Sequence, residues 1–328
     1  MRSLAAILVS FSLAFATSVA GEDKPLSIGL MLPGLGTDGG WNQLAKVAAE
    51  KIAKNTGAKL AVIQKVSQDK AGDELRDFAA QGFSLVIAHG YEFLNPAAEV
   101  AKALPRLNIA VSGADVAKPG IVTLDFDLSQ ASWQVGVLAA RVSTKGKIGY
   151  LGGAKIPSVL ACLRGFVAGA KSVNPDIKVV EAYPGWDQPA QAKAQTEALL
   201  RLGTDVIFLN VDAASRGVFE AIREAAAKGA KVWAIGSCAD QNANPIAADR
   251  TLASAVIHLD VAFRRLVETT RAGTFKPGLV GESLANGACV TVLNPTLLGA
   301  VITPAIQAEV ESVGKRLAAG ELKVPPAE

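Results

Sequence analysis

Histidine and cysteine are scarce in this chain, two and three among 328 residues. Cys162, Cys238 and Cys289 have no metal-site spacing, and His89 and His258 are too few to complete a zinc-type ligand set. Three cysteines allow at most one disulfide, and nothing in their positions says which pair would form it. Small buried apolar roles suit Cys162 and Cys289. Charge is also thin: 19% of residues are charged, the net charge is +3, and no run of lysine or arginine occurs, which excludes a nucleic-acid partner. No GxSxG, GxxxxGK[ST] or HExxH is present, so the usual machinery of serine hydrolases, nucleotide hydrolases and zinc proteases is missing. The chain is expected to be no enzyme and to carry no cofactor. Aromatic residues make up only 5%, so each of the four tryptophans counts.

Half of the chain is hydrophobic, which rules out disorder, and 328 residues suffice for two domains with separate cores. Met1 to Ala20 combines Arg2, an apolar run from Leu4 to Ala16 and the small-x-small site Ser18-Val19-Ala20. This is the pattern of a secretory signal peptide cut after Ala20. Gly21 follows, with no cysteine to carry a lipid, so a periplasmic mature protein without a lipid anchor is expected. Beyond it no apolar run reaches the roughly 18 residues of a membrane span; the stretch from Leu293 to Ile306 is broken by prolines and Asn294.

From Leu26 onward short apolar strands alternate with amphipathic helices, the pattern of βαβ units and parallel sheets. A first series runs from Leu26 to Leu124 and a second from Lys147 to Ile235, with further strand and helix material after it. The fold class expected is α/β: two doubly wound parallel-sheet lobes joined by a multi-crossing hinge. Residues 25–125 with about 254–290 are assigned to the first lobe, and 126–253 with about 291–322 to the second. Such lobes close as a clamshell on a small molecule.

The Gly34 to Gly40 turn follows the first strand and runs into Trp41-Asn42, at the carboxyl end where open α/β sheets bind ligands. Two readings fit. Trp41 packs the first helix onto its sheet with Asn42 as cap, or the indole and the carboxamide meet a ligand. Tyr183-Pro184-Gly185-Trp186-Asp187 follows a strand in the second series in the same way. Tryptophans from opposing lobes would clamp a flat ring, and two such stacks contribute roughly 2–6 kcal/mol. Micromolar affinity needs about 8 kcal/mol, so hydrogen bonds must supply the rest and the selectivity. The carboxylates of Asp125-Phe126-Asp127 and Asp73-Glu74 read as structural or solvated, since neighbours on a strand face opposite ways.

Several segments in order resemble the basic membrane protein family, the purine-nucleoside receptors of ABC importers with the type I periplasmic-binding-protein fold. These are TDGGWNQ, GGAKIPSVLACLRGFVAGAKSVNP, GWDQPAQAK, ADQ after the strand ending near Ile235, and the closing AAGELKVP. The resemblance implies that Trp41 and Trp186 sandwich a purine and that Asn42 reads the ring edge. It further implies a contact from Asp115 and a pocket lined by Tyr91 or His89. Three departures bear on specificity. Pro33 stands where nucleoside-binding members have an acid, Cys238 stands at the ribose-gripping aspartate, and Ile257 stands near a family lysine. A charged hydrogen bond is worth about 1.5–3 kcal/mol, so their loss favours a nucleobase or another flat heterocycle over a ribonucleoside. A monomer serving a membrane ABC permease is expected. The alternatives are a sensor presenting its closed form to a membrane receptor, and a nucleoside-cleaving hydrolase, for which no acidic or metal cluster is found.

Overall fold

The computed structural model describes residues 26–326, so the expected signal peptide lies outside the described residues. The first sheet gathers β1 (Ser27–Met31), β2 (Lys59–Ile63), β3 (Leu85–His89), β4 (Asn108–Ser112) and β5 (Val122–Phe126). The helices α1 (Trp41–Thr56), α2 (Ala71–Ala80) and α3 (Leu94–Ala103) connect its first four strands. The second sheet begins after α4 (Ser129–Val142) with β6 (Lys147–Gly152), α5 (Pro157–Val173), β7 (Lys178–Ala182), α6 (Pro189–Arg201), β8 (Val206–Asn210), α7 (Ser215–Ala227) and β9 (Trp233–Cys238). There follow β10 (Thr251–Ile257), α8 (Leu259–Arg271), β11 (Gly278–Glu282), β12 (Cys289–Leu293) and α9 (Pro304–Ala318).

Both sheets have six strands, in the orders β11-β5-β4-β3-β1-β2 and β12-β10-β9-β8-β6-β7. All pairings are parallel except β10 with β12. The central strands β1, β3 and β8 are buried throughout, as apolar runs covered by helices on both faces must be. The outer strands β2 and β7 carry exposed residues because only one side of each is paired. Helix ends follow local chemistry. Pro157, Pro189 and Pro304 each sit in the first turn of their helix, where no N–H is needed, and Gly57 closes α1 in the left-handed region at φ 68°.

The chain crosses between the lobes after β5, after β10 and after β11. Strand β10 runs to Ile257 inside the second sheet, so this crossing falls at His258 rather than at the expected 254. The reason is pairing: Ser254, Ala255 and Val256 lie beside Gly236, Ser237 and Cys238 of β9. The same pairing extends β9 past Ile235, so Cys238 is a strand residue and not a loop residue. Backbone bonds tie the crossings together, Asp127 N to Glu282 O and His258 N to Ala288 O, each 2.7 Å. Among the described residues, no helix is long and apolar enough to cross a membrane.

Candidate ligand-binding cleft

In each sheet the chain leaves one central strand for the outer edge and returns on its other side. The loops after β1 and β3 therefore diverge, as do those after β6 and β8. Such divergence opens a crevice at the carboxyl edge. Trp41 and His89 stand at the first of these points, Gly153 and Asp212 at the second.

Trp41 and His89 stack with ring centroids 4.0 Å apart and planes 25° apart. Phe126 meets the indole edge-on at 6.0 Å. Gly113, at φ +83°, passes so close that a Cβ there would stand 3.2 Å from Trp41 Cζ2. His89 is fully buried, with Nε2 at 3.1 Å from the Trp41 carbonyl and Nδ1 at 2.6 Å from Ser112 Oγ. A carbonyl can only accept, so Nε2 carries the proton and Nδ1 accepts from the Ser112 hydroxyl. Burial drives the imidazole pKa down to about 3 and holds the ring neutral. The expectation that His89 lines a pocket is thereby corrected, because it lies behind Trp41 with no accessible surface.

Asn42 is buried and committed to its own loop: Oδ1 accepts from Gly34 N at 3.3 Å and Nδ2 donates to Asp38 Oδ2 at 2.7 Å. Both ends of the carboxamide brace the turn, and each retains one further hydrogen-bonding position. Asp38 completes the turn, accepting from Gly40 N at 3.0 Å, Gln43 N at 2.9 Å and Asn42 N at 3.1 Å. An aspartate just ahead of a helix is the sequence signal of such a cap.

In the second lobe the Trp186 indole lies against Gly153, where any Cβ would overlap it. The Trp186 carbonyl accepts from Ala214 N at 2.9 Å, tying the loop after β7 to the loop after β8. Beneath them Asn210 is buried; its Oδ1 accepts from Ser237 Oγ at 3.2 Å and its Nδ2 donates to the Tyr150 hydroxyl at 3.4 Å. Cys238 ends β9 with φ 61°, a left-handed conformation that a side-chain-bearing residue rarely adopts, and its Sγ lies 3.9 Å from Asn210 Oδ1. Burial pushes its thiol pKa well up, so it stays protonated. All three cysteines are free, Cys162 and Cys289 among the buried residues as expected.

The lobes touch at this edge. Trp41 N donates to Asp212 Oδ1 at 3.0 Å, and Gln241 Nε2 donates to the Gly39 carbonyl at 3.2 Å. Gln241 entered the sequence reading only as the last residue of the ADQ segment and Asp212 not at all, because nothing local says that a residue after β8 reaches a turn 171 positions earlier. Tyr91, 55% exposed, and Asp115, also exposed, stand on the first-lobe rim. Of the carboxylates read as structural, Asp127 does cap α4 through Ser129 N at 3.1 Å. Asp125 differs: burial, then Asp127 and Asp115, push its carboxyl up to about 6.

One cavity of about 300 Å³ on the first lobe is bordered by Tyr91, Glu92 and Lys118. A second, also about 300 Å³, lies between the lobes, with Thr37, Asp38 and Gly39 facing Ala213, Arg216 and Gln241. Neither is lined by Trp41 or Trp186. Among the described residues no cluster of three or more His, Cys, Asp or Glu could hold a metal ion.

The family model of PnrA-like ABC transporter substrate-binding proteins matches residues 26–289. The ABC transporter nucleoside-binding protein BmpA of Lactococcus lactis is 27% identical over 63% of this chain and 63% of its own length. A purine-binding protein of Brucella abortus is 25% identical over 59% and 56% of the two chains. Basic membrane protein A of Borreliella burgdorferi is 26% identical over 93% and 89%. Among solved structures, an ABC transporter solute-binding protein from Aeropyrum pernix superposes with a TM-score of 0.82 at 20% identity, covering 93% of this chain and 95% of that one. Another from Conexibacter woesei gives 0.76 at 27% identity, covering 92% and 98%. With the family model matching most of the chain and both sheets arranged as two facing lobes, the protein belongs to the PnrA-like family of ABC transporter substrate-binding proteins.

Proposed function

We propose that the protein is the periplasmic receptor of an ABC importer and carries a purine-type ligand between its lobes without altering it chemically. The observation that carries this reading is the meeting of two tryptophan-bearing loops at one junction. Asp212 holds the Trp41 backbone, and Ala214, two residues on, holds the Trp186 carbonyl. His89 already covers one face of Trp41, so a flat ligand takes the other face and Trp186 supplies the opposing wall from the second lobe. The names of two relatives, a nucleoside-binding and a purine-binding protein, support the ligand class.

Asp115 and Asp125 supply acceptors for ring N–H or amino donors, and Tyr91 lies at the rim. Cys238 offers no charge where a ribose-gripping acid stands in nucleoside receptors, so the free base is preferred to the ribonucleoside. Calorimetry on refolded, ligand-free mature protein with adenine, guanine, hypoxanthine and their nucleosides tests this. Micromolar binding of at least one base, tighter than its nucleoside, is expected. Tight binding of inosine or adenosine with no binding of a base would refute it.

A further inference from the structure

We infer that Asp212 is the clasp of the closed clamshell: it reaches across the cleft to hold the first backbone N–H of α1 and thereby positions the Trp41 indole. The first four N–H groups of a helix have no partner within it and must be satisfied from outside. At α1 this work is divided. Asp38, from the same lobe, takes the N–H groups of Gly40, Asn42 and Gln43. The Trp41 N–H is left over, and its acceptor is Asp212 Oδ1, from the loop after β8. The approach is tight enough that a Cβ added at Gly40 would overlap the Asp212 carboxylate and stand 3.0 Å from its Cα. Glycine at position 40 is what lets the two backbones come this near.

Asp212 is itself well supported. Its carbonyl accepts from Ser215 N at 2.9 Å, and the next N–H but one, that of Ala214, is held by Trp186 O. The clasp therefore connects the loop bearing one tryptophan to the loop bearing the other. Gln241 reinforces it from the segment after β9, with its own N–H fixed by Ser254 Oγ at 2.9 Å. Taking the carboxylate out of water when the lobes meet has an electrostatic cost. Burial pushes the Asp212 pKa up to about 7, and Asp38 and Asp187 push it the same way. Asp212 is a positioning residue, acting on ligand through the backbone of Trp41.

The Trp41 amide is a direct probe, since nothing within its helix protects it. Amide hydrogen exchange of isotope-labelled mature protein, resolved residue by residue by NMR, compares wild type with Asp212→Ala and Asp212→Asn. The alanine variant should expose the Trp41 amide about tenfold or more, the loss of its hydrogen bond to the carboxyl oxygen. Asn42 and Gln43 should keep their protection through Asp38. The asparagine variant retains an acceptor oxygen and should stay within about threefold of wild type at Trp41, the spread expected of a neutral acceptor. Equal Trp41 exchange in wild type and Asp212→Ala would overturn the clasp, as would loss of protection at Asn42 and Gln43 together with Trp41. The readout uses no ligand: its failure would remove the Asp212 bond from the junction but leave the Trp186 to Ala214 tie and the relatives' ligand class behind the purine reading, whereas failure of the calorimetry leaves the clasp untouched.

Discussion

At position 89 burial turns an ionisable side chain into a neutral strut between Trp41 and Ser112. Its folded pKa of about 3 lies below the 6.5 of the unfolded chain, so the unfolded state binds the proton first as pH falls. The stability due to a neutral His89 is complete above pH 6.5 and is lost progressively toward pH 3. Asp212 runs the opposite way: its pKa is raised from 3.8 to about 7, so its contribution is fully present below 3.8 and is lost as pH rises through 7. Comparing wild type with His89→Gln cancels Asp212, which titrates in both. Urea unfolding at pH 7 and pH 4.5 should show wild type losing up to about 3 kcal/mol more than the variant on acidification. Parallel losses would show that His89 is not held neutral. Cys238, like Lys65 a non-glycine residue with positive φ, carries its left-handed backbone in the second lobe's half of the cleft.

At the scale of elements α4 and α5 pack closely against each other. Cβ atoms at Gly165 and Gly169 of α5 would overlap the backbone carbonyls of Ser129 and Trp133 in α4. The helices therefore touch backbone to backbone, which fixes α5 and the loop that carries Gly153 in front of it. Gly169→Ala should destabilise the protein by about 1–3 kcal/mol, the usual effect of forcing volume into a filled interior. The gain in helix propensity from glycine to alanine offsets up to about 1 kcal/mol of this. A lower urea midpoint at unchanged slope is the expected result, and no shift would mean that the helices stand further apart. Glu282 at the end of β11 is another element-level constraint. Its side chain is fully buried and pairs with Arg265 of α8, next to the crossing that Asp127 N joins.

For the whole molecule, closure follows from a ligand only through contacts made with both lobes at once. Three crossings linked by hydrogen bonds restrict the lobes to a hinge motion in place of free tumbling. Trp186→Ala should weaken ligand binding by roughly 1–3 kcal/mol, the stacking of one ring. It should also diminish the ligand-induced decrease in scattering radius. Full compaction of the variant at saturating ligand would show that the second-lobe indole does not link ligand to closure.

Most of the element order was legible from Leu26 onward, because apolar periodicity and the glycine and proline punctuation are local properties. The family, too, could be read from short ordered segments around Trp41 and Trp186. Long-range pairing could not: β10 belongs to the second sheet because it lies beside β9, and Cys238 is a strand residue for the same reason. The place of His89 was not legible, since a buried ring whose two nitrogens are spent on a carbonyl and a hydroxyl is withdrawn from a ligand. Sequence alone determined which segments become strands and helices and that two tryptophans follow strands in separate lobes. Only the tertiary structure decided that Asp38 and Asp212 divide the start of α1 between them, because a hydrogen bond across the cleft depends on where two distant chain segments arrive, and no local pattern encodes that.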